Sequence, residues 1–425
     1  MSHPVFIGID LGTSGVRANA IDREGELLAE SRTALPPSTQ PRPNYQEQQP
    51  VDWWKAVVHT IDALPADIRQ EIQAITVDGT SGTLLLSDEQ GKPVSPALMY
   101  NDQRAQTEAV SLADIAPPQA AVHSPNSALA KLMWLENNGF AGRHALHQAD
   151  WIATQLGAPP GVSDENNCLK LGYDPVTRRW PDWIDDTGLD PNLFPKVAAV
   201  GHTIGRLSSE LRKRWDCRNP VSLIAGTTDS NAATLATGIN RTGDAATALG
   251  STLVLKILSG QPVFAPEYGI YSHRMGGRWL VGGASNSGGL VLRKYFTEEQ
   301  LKRLSGQVDP RRDSGLDYYP LPSPGERFPL NDPQLRPRLN PRPENEVHFL
   351  HGLLEGIARI EQQGYLRLHE LGAPFPGRIL TTGGGATNET WRRLRERIIG
   401  VPIRKAVHSE AAYGAALIAA GRIAW

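Results

Sequence analysis

The sequence predicts an α/β protein of two lobes, each a mixed β-sheet flanked by helices, with a ligand cleft between them. The chain has 425 residues, which is more than one hydrophobic core normally supports. Residues 5–15 form an apolar strand that ends in a glycine turn with a carboxylate, and Leu223–Asp229 repeats this arrangement more than two hundred residues later. Two similar strand–turn units suggest related lobes, and a cleft between lobes is the usual place for a ligand.

Composition excludes several classes of partner. Lys and Arg number 43 against 45 Asp and Glu, so charge gives no reason to expect nucleic acid or an anionic membrane. Two cysteines, Cys168 and Cys217, are too few for a disulfide framework or a thiolate zinc site, and the eleven histidines lack metal-ligand spacing. No apolar run reaches the roughly 18 residues of a membrane span, and the amino terminus shows no secretory signal. We therefore expect a cytoplasmic protein that acts on a small molecule.

The turn after the first strand predicts a phosphate and metal site. Val5–Ile9 alternates as a buried strand, and Gly12–Gly15 offers backbone N–H groups that approach an anion closely. Thr13 and Ser14 add hydroxyl donors, and Asp10 lies at the strand end, placed to hold Mg²⁺ directly or through water. An ordinary glycine-rich hairpin is the alternative interpretation of this stretch.

The rest of the first half predicts a sheet edge, helices and further polar turns. Residues 16–21 and 26–31 continue a meander, Asp52 is a candidate cap for a helix that Pro65 ends, and strand Ile72–Val77 enters the turn Asp78–Thr83. Asn101 and Asp102 precede a predicted helix, which they either cap or accompany as binding residues. We place the lobe boundary before Val221, which gives lobes 1–220 and 221–425.

Strand-to-glycine turns recur in the second half. Residues 244–249 lead into Gly250, Ser251 and Thr252, and residues 378–382 lead into Gly383–Gly385, after which Asn388 begins a helix. Four such turns therefore carry hydrogen-bond donors, at Asp10, Asp229, Gly250 and Gly383. Such a set is typical of a protein that holds a phosphorylated ligand.

These motifs, in this order, resemble the FGGY family of carbohydrate kinases, which shares its fold with actin, hexokinase and the heat-shock ATPases. The resemblance covers nearly the whole chain, and no Gly-x4-Gly-Lys-[Ser/Thr] loop is present. The matching segments are Gly8–Ser14, Glu47–Trp54, Asn101–Arg104, Gly226–Asp229, Gly325–Pro329, Glu355–Ile357, Gly383–Asn388 and Glu410–Ala416. The resemblance implies two actin-like, ribonuclease H-like lobes.

The resemblance also implies ATP and Mg²⁺ as cofactors and assigns roles to residues. Asp10 would hold Mg²⁺, Asp229 would be the general base for the sugar hydroxyl, and Asp229, Asp10 and Thr13 would form the catalytic set. The alternative interpretation of Asp229 is a helix cap. For Trp391 the alternative is a core residue, because an aromatic residue one turn into a helix packs in the core as often as it contacts a ligand. The implied nucleotide-binding residues are Thr13, Gly250, Ser251, Thr252, Gly384, Gly385, Asn388 and Trp391.

The implied sugar site favours a ketopentose. Its residues would be Asp10, Ser14, Gly15, Ser81, Asp102 and Asp229. Many xylulose and glycerol kinases have Gln after the strand that ends here at Val77, and the xylulose enzymes follow it with Met-His. The turn Asp78–Thr83 is more similar to that of ribulose-type kinases. We therefore expect phosphorylation of D-ribulose at its 5-hydroxyl.

Two alternatives remain open at this point. The first is the same reaction on D-xylulose or another polyol. The second is an actin-type nucleotide-binding scaffold that phosphorylates nothing. The polar set of Asp102, Arg104 and Ser81 argues against the scaffold, which has no reason to keep it beside phosphate-binding turns.

Overall fold

The computed structural model describes residues 3–422, which contain eighteen strands and twelve α-helices. The strands are β1 (Val5–Leu11), β2 (Gly15–Ile21), β3 (Leu27–Ala34), β4 (Glu47–Gln48), β5 (Ile72–Gly79), β6 (Leu84–Ser87), β7 (Ala97–Leu98), β8 (His144–His147), β9 (Val162–Asp164), β10 (Lys196–Ala198), β11 (Thr203–Arg206), β12 (Ser222–Ile224), β13 (Asp244–Leu249), β14 (Leu253–Ser259), β15 (His273–Met275), β16 (Arg278–Ser285), β17 (Arg378–Thr382) and β18 (Ile403–Lys405). The helices are α1 (Pro50–Asp62), α2 (Ala66–Gln70), α3 (Gln106–Ile115), α4 (Ala128–Asn137), α5 (Gln148–Leu156), α6 (Ser209–Arg214), α7 (Asp229–Ala236), α8 (Gly289–Tyr295), α9 (Glu298–Ser305), α10 (Glu346–Glu370), α11 (Glu389–Ile399) and α12 (Ala411–Ala419).

The described chain forms two compact units. The first contains residues 3–236, 273–276 and 410–422, and the second contains residues 237–272 and 277–409. None of the helices between residues 3 and 422 combines the length and hydropathy that a membrane span needs.

The first unit is built on a mixed sheet with the strand order β11–β12–β5–β1–β2–β3. Strands β1, β2 and β3 form the antiparallel meander that the sequence predicts. Strand β5 then pairs in parallel with β1, and β12 pairs in parallel with β5. The carboxyl ends of β1, β5 and β12 therefore meet at one edge of the sheet, where the candidate polar turns begin.

Helices cover both faces of this sheet. Helices α1 and α5 pack on one face, where Trp53 and Trp151 join a core with Ile7, Ile9 and Val77. Helix α12 packs on the other face. A Cβ at Gly8 would lie 2.0 Å from the carbonyl oxygen of Ala412. Position 8 of β1 therefore has to be glycine for α12 to pack this closely.

A second, smaller sheet in the first unit has the order β4–β7–β6–β8. Helices α3 and α4 pack against it through a separate core that includes Leu84, Leu112 and Leu132. This layer carries the segment between β7 and α3, in which Asp102 and Arg104 lie.

The second unit repeats the same plan. Its strands β16, β14 and β13 are an antiparallel meander, and β17 and β18 add to β13 in parallel, in the order β16–β14–β13–β17–β18. Helix α10 contributes Leu350, Leu353, Leu354 and Ile357 to the core beneath this sheet. The counterpart of β1 in the second unit is therefore β13, not the strand that precedes Asp229.

The units divide the chain at a different place from the boundary before Val221. Strand β12 belongs to the first unit because Gly226 lies against β5, where a Cβ would be 2.1 Å from the carbonyl oxygen of Val77. Asp229 therefore lies in the same unit as Asp10. Helix α12 returns to this unit through Gly414, whose Cβ would be 1.8 Å from the carbonyl oxygen of Ala232.

Candidate active site

Three carboxylates gather at the sheet edge of the first unit. Asp10 near the end of β1 is the register partner of Asp78 in β5. The next residue of β5, Gly79, forms a parallel bridge with Thr228, and Asp229 follows as the first residue of α7. Parallel neighbours that share a register position point to the same face, so the first two side chains lie side by side.

Of these three carboxyl groups, Asp78 has the fewest polar partners for its degree of burial. Its side chain is fully buried, and neither carboxylate oxygen has a hydrogen-bond partner among residues 3–422. Burial raises the pKa of Asp78 well above its usual value, and the charges of Asp10 and Asp229 raise it further. The group within reach is the carboxyl of Asp10, which pairs with it only if one of the two carries a proton.

Asp10 is buried but has one cationic partner. Arg17 Nη1 lies 3.4 Å from Asp10 Oδ2 and 3.4 Å from Glu410 Oε2. Burial raises the pKa of Asp10, and Asp78 and Arg17 oppose this increase without cancelling it. An anionic Asp10 therefore gains from an added cation at this edge.

Hydrogen bonds fix the backbone of the turn between β1 and β2. The Gly12 N–H donates to the Gly15 carbonyl oxygen at 3.0 Å, and Gln48 Nε2 donates to the Thr13 carbonyl oxygen at 2.8 Å. Ser14 is exposed and Thr13 is half-buried, so their hydroxyls are accessible. Gln48 lies in the segment Glu47–Trp54, to which the sequence assigned no role. In the structure its side chain supports the β1–β2 turn.

Asp229 lies at the start of a helix, as one of the two interpretations from the sequence expects. It is the first residue of α7, and its Oδ1 accepts a hydrogen bond from the N–H of the next residue, Ser230, at 2.6 Å. It is also half-buried, and its charge acts on both Asp78 and Lys170. The helix start therefore fixes a carboxylate that remains accessible to a ligand.

Hydrogen bonds fix the turn after β5 on both sides of Ser81. Gln148 Oε1 accepts hydrogen bonds from the Thr80 N–H at 3.0 Å and the Thr80 hydroxyl at 2.8 Å. Lys131 Nζ donates to the carbonyl oxygens of Gly82 at 2.9 Å and Met99 at 2.7 Å. Ser81 is half-buried between these fixed residues. The turn thus presents one hydroxyl at a defined position.

Asp102 is not a helix cap, because α3 begins only at Gln106. Its side chain is fully buried, and Arg104 donates to it through its backbone N–H and its guanidinium, with Nη2 at 2.7 Å from Oδ2. The Gln46 N–H donates to the same oxygen at 2.6 Å. The Arg104 guanidinium also lies over the ring of Tyr45, 3.8 Å from its centroid. These contacts make Asp102 the centre of a packed network in this structure.

Two lysines near Ser81 were missed by the sequence analysis. Lys131 is completely buried, and burial lowers its pKa to about 7. Lys170 lies against the turn, because a Cβ at Gly82 would be 3.3 Å from Lys170 Cδ and 3.9 Å from its Nζ. Lys131 falls in an apolar helical pattern and Lys170 in an irregular segment, so neither carried a local signal.

The second unit contains a cavity of about 960 Å³ at the ends of β13 and β17. Such a volume is within the range of small-molecule sites. Six of the residues predicted to bind nucleotide line it, namely Gly250, Ser251, Gly384, Gly385, Asn388 and Trp391. Thr13, which lies in the first unit, and Thr252 are not among the lining residues.

The cavity wall contains residues that also hold the fold together, and a glycine with open space beside it. Asn388 caps α11 by accepting from the Trp391 N–H at 3.0 Å, and Trp391 Nε1 donates to the Leu354 carbonyl oxygen at 3.0 Å. Trp391 is therefore a core residue whose edge reaches the cavity. Gly385 packs on this ring, where a Cβ would lie 2.6 Å from Trp391 Cζ3, whereas Gly384 has open space at that position.

A cationic group stands beside the predicted phosphate turn of the second unit. Arg293 Nη2 donates to Ser251 Oγ at 2.8 Å and lines the cavity, as does Lys302. The Gly289 N–H donates to the Gly250 carbonyl oxygen at 2.9 Å, which anchors the turn to α8. The sequence analysis did not identify Arg293 as a site residue.

The donor set of the first unit fits Mg²⁺. Between residues 3 and 422, no group of three or more His, Cys, Asp or Glu side chains is arranged as a metal cage. Mg²⁺ does not need one, because it is held by one or two carboxylates together with phosphate oxygens and water. Asp10, and the unpaired oxygens of Asp78 beside it, supply oxygen donors of that kind.

Comparison with known proteins identifies the family. The model of the FGGY carbohydrate kinase N-terminal domain matches residues 5–236, and that of the C-terminal domain matches residues 241–422. The xylulose kinase of Escherichia coli K12 is 26% identical over 423 residues, covering 93% of this chain and 85% of that protein.

Solved structures agree in fold. A structure described as a xyloylose kinase from Brucella ovis superposes with a TM-score of 0.88 at 27% identity, covering 99% of this chain and 90% of that one. Plasmodium falciparum glycerol kinase with ADP gives 0.85 at 16% identity, covering 99% and 90% of the two chains.

The chain therefore belongs to the FGGY family of carbohydrate kinases. The predicted fold class, mixed sheets flanked by helices in two actin-like domains, is confirmed. So are the enzyme class and the cofactors, because kinases of this family use ATP with Mg²⁺.

Proposed function

We propose that this FGGY carbohydrate kinase phosphorylates D-ribulose at its 5-hydroxyl, with Asp229 as the general base. The observation that carries the proposal is the Ser81–Gly82 turn. It presents one small hydroxyl and no side chain at Gly82, where φ is +86° and a Cβ would lie 3.2 Å from the Asn126 carbonyl oxygen and 3.3 Å from Lys170 Cδ. A side chain larger than that of glycine at position 82 would therefore be strained.

The first unit supplies the groups that act on the sugar. Asp229 accepts the proton of the attacking hydroxyl, and its position at the start of α7 fixes the carboxylate. Ser81, and Ser14 and Gly15 in the β1–β2 turn, offer hydrogen bonds to the other sugar oxygens. Asp102 acts by holding Arg104 and Gln46 in place, since its oxygens already accept hydrogen bonds from both.

The second unit supplies the nucleotide site. Gly384 and Gly385 admit the nucleoside to the cavity, and the Gly250–Thr252 turn with Arg293 faces the phosphates. In the first unit, Asp10 and Thr13 supply carboxylate and hydroxyl oxygens that would hold metal and phosphate groups. Mg²⁺ neutralises charge on the phosphates when it is bound, and the protein contributes alignment and electrostatic stabilisation.

D-Xylulose is the second candidate substrate. The relatives named xylulose kinase support it, since several are 23–26% identical over nearly all of this chain. A panel of D-ribulose, D-xylulose, L-ribulose, glycerol and gluconate in an ADP-release assay distinguishes the candidates. We expect D-ribulose to give a kcat/KM at least tenfold above that of D-xylulose.

A matched pair of variants ties that preference to the turn. Ser81→Ala removes the hydroxyl and should raise the KM for D-ribulose about tenfold, which corresponds to about 1.4 kcal/mol. Ser87→Ala, at the end of β6 in the same unit, is the control and should leave that KM unchanged. A higher kcat/KM for D-xylulose in the wild-type enzyme would overturn the ribulose assignment. No sugar-dependent ADP release would favour the nucleotide-binding scaffold.

A further inference from the structure

The buried carboxyl group of Asp78 has no evident role in stabilising the fold. It is completely shielded from solvent, and its two oxygens are without hydrogen-bond partners in the described part of the chain. Buried carboxylates are normally paired with a cation or satisfied by several donors. Two neighbouring carboxyl groups with few donors, such as Asp78 and Asp10, are stabilised either by a shared proton or by a bound cation.

Elsewhere in the same unit a buried carboxylate is satisfied in the ordinary way. Asp164 is almost as deeply buried, yet it accepts hydrogen bonds from the backbone N–H groups of Asn166 and Asn167 at 2.8 and 3.0 Å. The side-chain amide of Asn167 adds a third at 2.6 Å. The fold therefore has the means to satisfy a buried carboxylate, and it does not use them at Asp78.

The position of Asp78 shows what the group faces. It is the register partner of Asp10 on the adjacent parallel strand, and strands in a sheet are about 4.8 Å apart. Arg17 reaches Asp10 but is not a hydrogen-bond partner of Asp78. Two carboxyl groups therefore lie side by side on this edge with a single partly exposed arginine.

We propose that Asp78 is a second carboxylate for the Mg²⁺ that accompanies ATP, acting together with Asp10. Paired oxygens on neighbouring strands match the one or two carboxylates that Mg²⁺ takes from a protein, with phosphate oxygens and water completing the octahedron. A divalent cation also relieves the repulsion between the two groups. The inference rests on the use of Mg²⁺ by the family and is independent of which sugar is phosphorylated.

The test measures metal binding rather than turnover, with Mn²⁺ as the probe. The dissociation constant of ADP is measured by calorimetry with and without Mn²⁺, and bound Mn²⁺ is counted by electron paramagnetic resonance. We expect Asp78→Asn to leave metal-free ADP binding unchanged and to reduce the Mn²⁺-dependent gain in ADP affinity by about 10-fold to 100-fold. Asp10→Asn should show the same loss.

Stability separates a metal ligand from a structural residue. Without metal, Asp78→Asn should melt no lower than the wild type, because it replaces one of two adjacent buried carboxyl groups with a neutral amide. Asp164→Asn is the matched control, and it should melt lower while keeping the full Mn²⁺-dependent gain.

Asp78→Ser provides a second variant if the asparagine protein does not fold. A wild-type Mn²⁺ gain in a folded Asp78 variant would overturn the proposal. So would a lower melting temperature for Asp78→Asn without metal, together with an unchanged gain.

Discussion

The two units share a sheet plan, but the carboxylates at the carboxyl end of the first sheet have fewer partners than two buried carboxylates of the second unit. In the second unit, Arg378 binds Asp244 through two hydrogen bonds of 2.7 Å, and Arg395 binds Glu361 in the same two-pronged manner. In the first unit, Asp78 has no hydrogen-bond donor, and Asp10 has one half-exposed arginine at 3.4 Å.

The pKa values of several buried carboxyl groups also differ between the units. Burial alone raises the pKa of Glu355 in the second unit, but the contact with His351 Nε2 at 3.3 Å and the hydrogen bonds from Ser314 outweigh it and lower the pKa to about 2. In the first unit, burial raises the pKa of Asp164 to about 6 and that of Glu165 to about 7, and it raises Asp78 well above its usual value. Groups with raised pKa values gather at functional sites more often than elsewhere.

The corresponding positions of the two sheets show what the difference means. Asp10 and Asp78 are register partners on β1 and β5, and the equivalent pair on β13 and β17 is Ala248 and Thr382. The second sheet edge carries no charge there and opens into the cavity lined by glycines. The same sheet plan therefore carries two carboxylates at this position in one unit and no charged side chain at the equivalent pair in the other.

The largest expected effect comes from removing the base in the first unit. Asp229→Asn keeps the size of the side chain at the start of α7 but cannot accept the sugar proton, so kcat should fall by about 10²–10⁴-fold. ADP release that depends on D-ribulose measures it, and ADP affinity should stay at the wild-type value because the cavity lies in the second unit.

Asp229→Glu sharpens this result, because it retains a carboxylate but displaces it. Its kcat should lie between the wild-type and asparagine values, since alignment of the reacting groups is itself a large part of the rate. A sugar-dependent rate within tenfold of wild type for Asp229→Asn would contradict the assignment of the base.

A smaller effect is expected when the cavity of the second unit is filled. At Gly384 a Cβ meets nothing within 4 Å, so Gly384→Leu should fold normally and extend into the cavity. The KM for ATP should rise about 10-fold to 100-fold while the KM for the sugar stays the same. Steady-state kinetics with each substrate varied in turn provides the measurement.

Gly377→Leu is the matched control for this variant. Gly377 also has open space around its Cβ position, belongs to the same unit and does not line the cavity. It should leave both KM values unchanged. If the two leucine variants raised the KM for ATP equally, the cavity would not be the nucleotide site.

Local sequence patterns predicted much of this arrangement. The meander β1–β2–β3, the donors of the glycine turns and the cap at Asn388 all depend on residues close together in the chain. Alternating apolar residues, glycines and capping residues predict strands, turns and helix starts directly. The order of several family motifs then identified the fold class and the enzyme class.

Features that depend on distant residues were not predictable in this way. The placement of β12 and α12 in the first unit depends on the close approach of Gly226 to Val77 and of Gly8 to Ala412. The role of Asp78 appears only when β1 and β5 are in register. Lys131 looked like part of an apolar helix face, and its two carbonyl partners lie 49 and 32 residues away in the sequence.

The smallest expected effect is on stability, and it runs in opposite directions in the two units. Glu165 has a pKa of about 7 in the folded protein and about 4.5 when unfolded, mainly because of burial. Between these values the unfolded chain releases a proton that the folded chain keeps, so the free energy of unfolding falls as pH rises from 4.5 to 7. Glu355, with its pKa lowered to about 2, stabilises the protein above pH 4.5 and loses this contribution as pH falls towards 2.

Urea unfolding of the wild type, Glu165→Gln and Glu355→Gln between pH 3.5 and 7.5 separates the two contributions. The stability of the wild type relative to Glu165→Gln should decrease by about 1–3 kcal/mol from pH 5 to 7.5, since one pKa unit corresponds to about 1.4 kcal/mol. Relative to Glu355→Gln, the stability of the wild type should instead decrease from pH 5 to 3.5. If both variants shifted the pH profile in the same direction, the contrast between Glu165 and Glu355 would be wrong. Opposite shifts would show that burial of Glu165 in the first unit costs stability above pH 4.5, whereas Glu355 in the second unit contributes stability there.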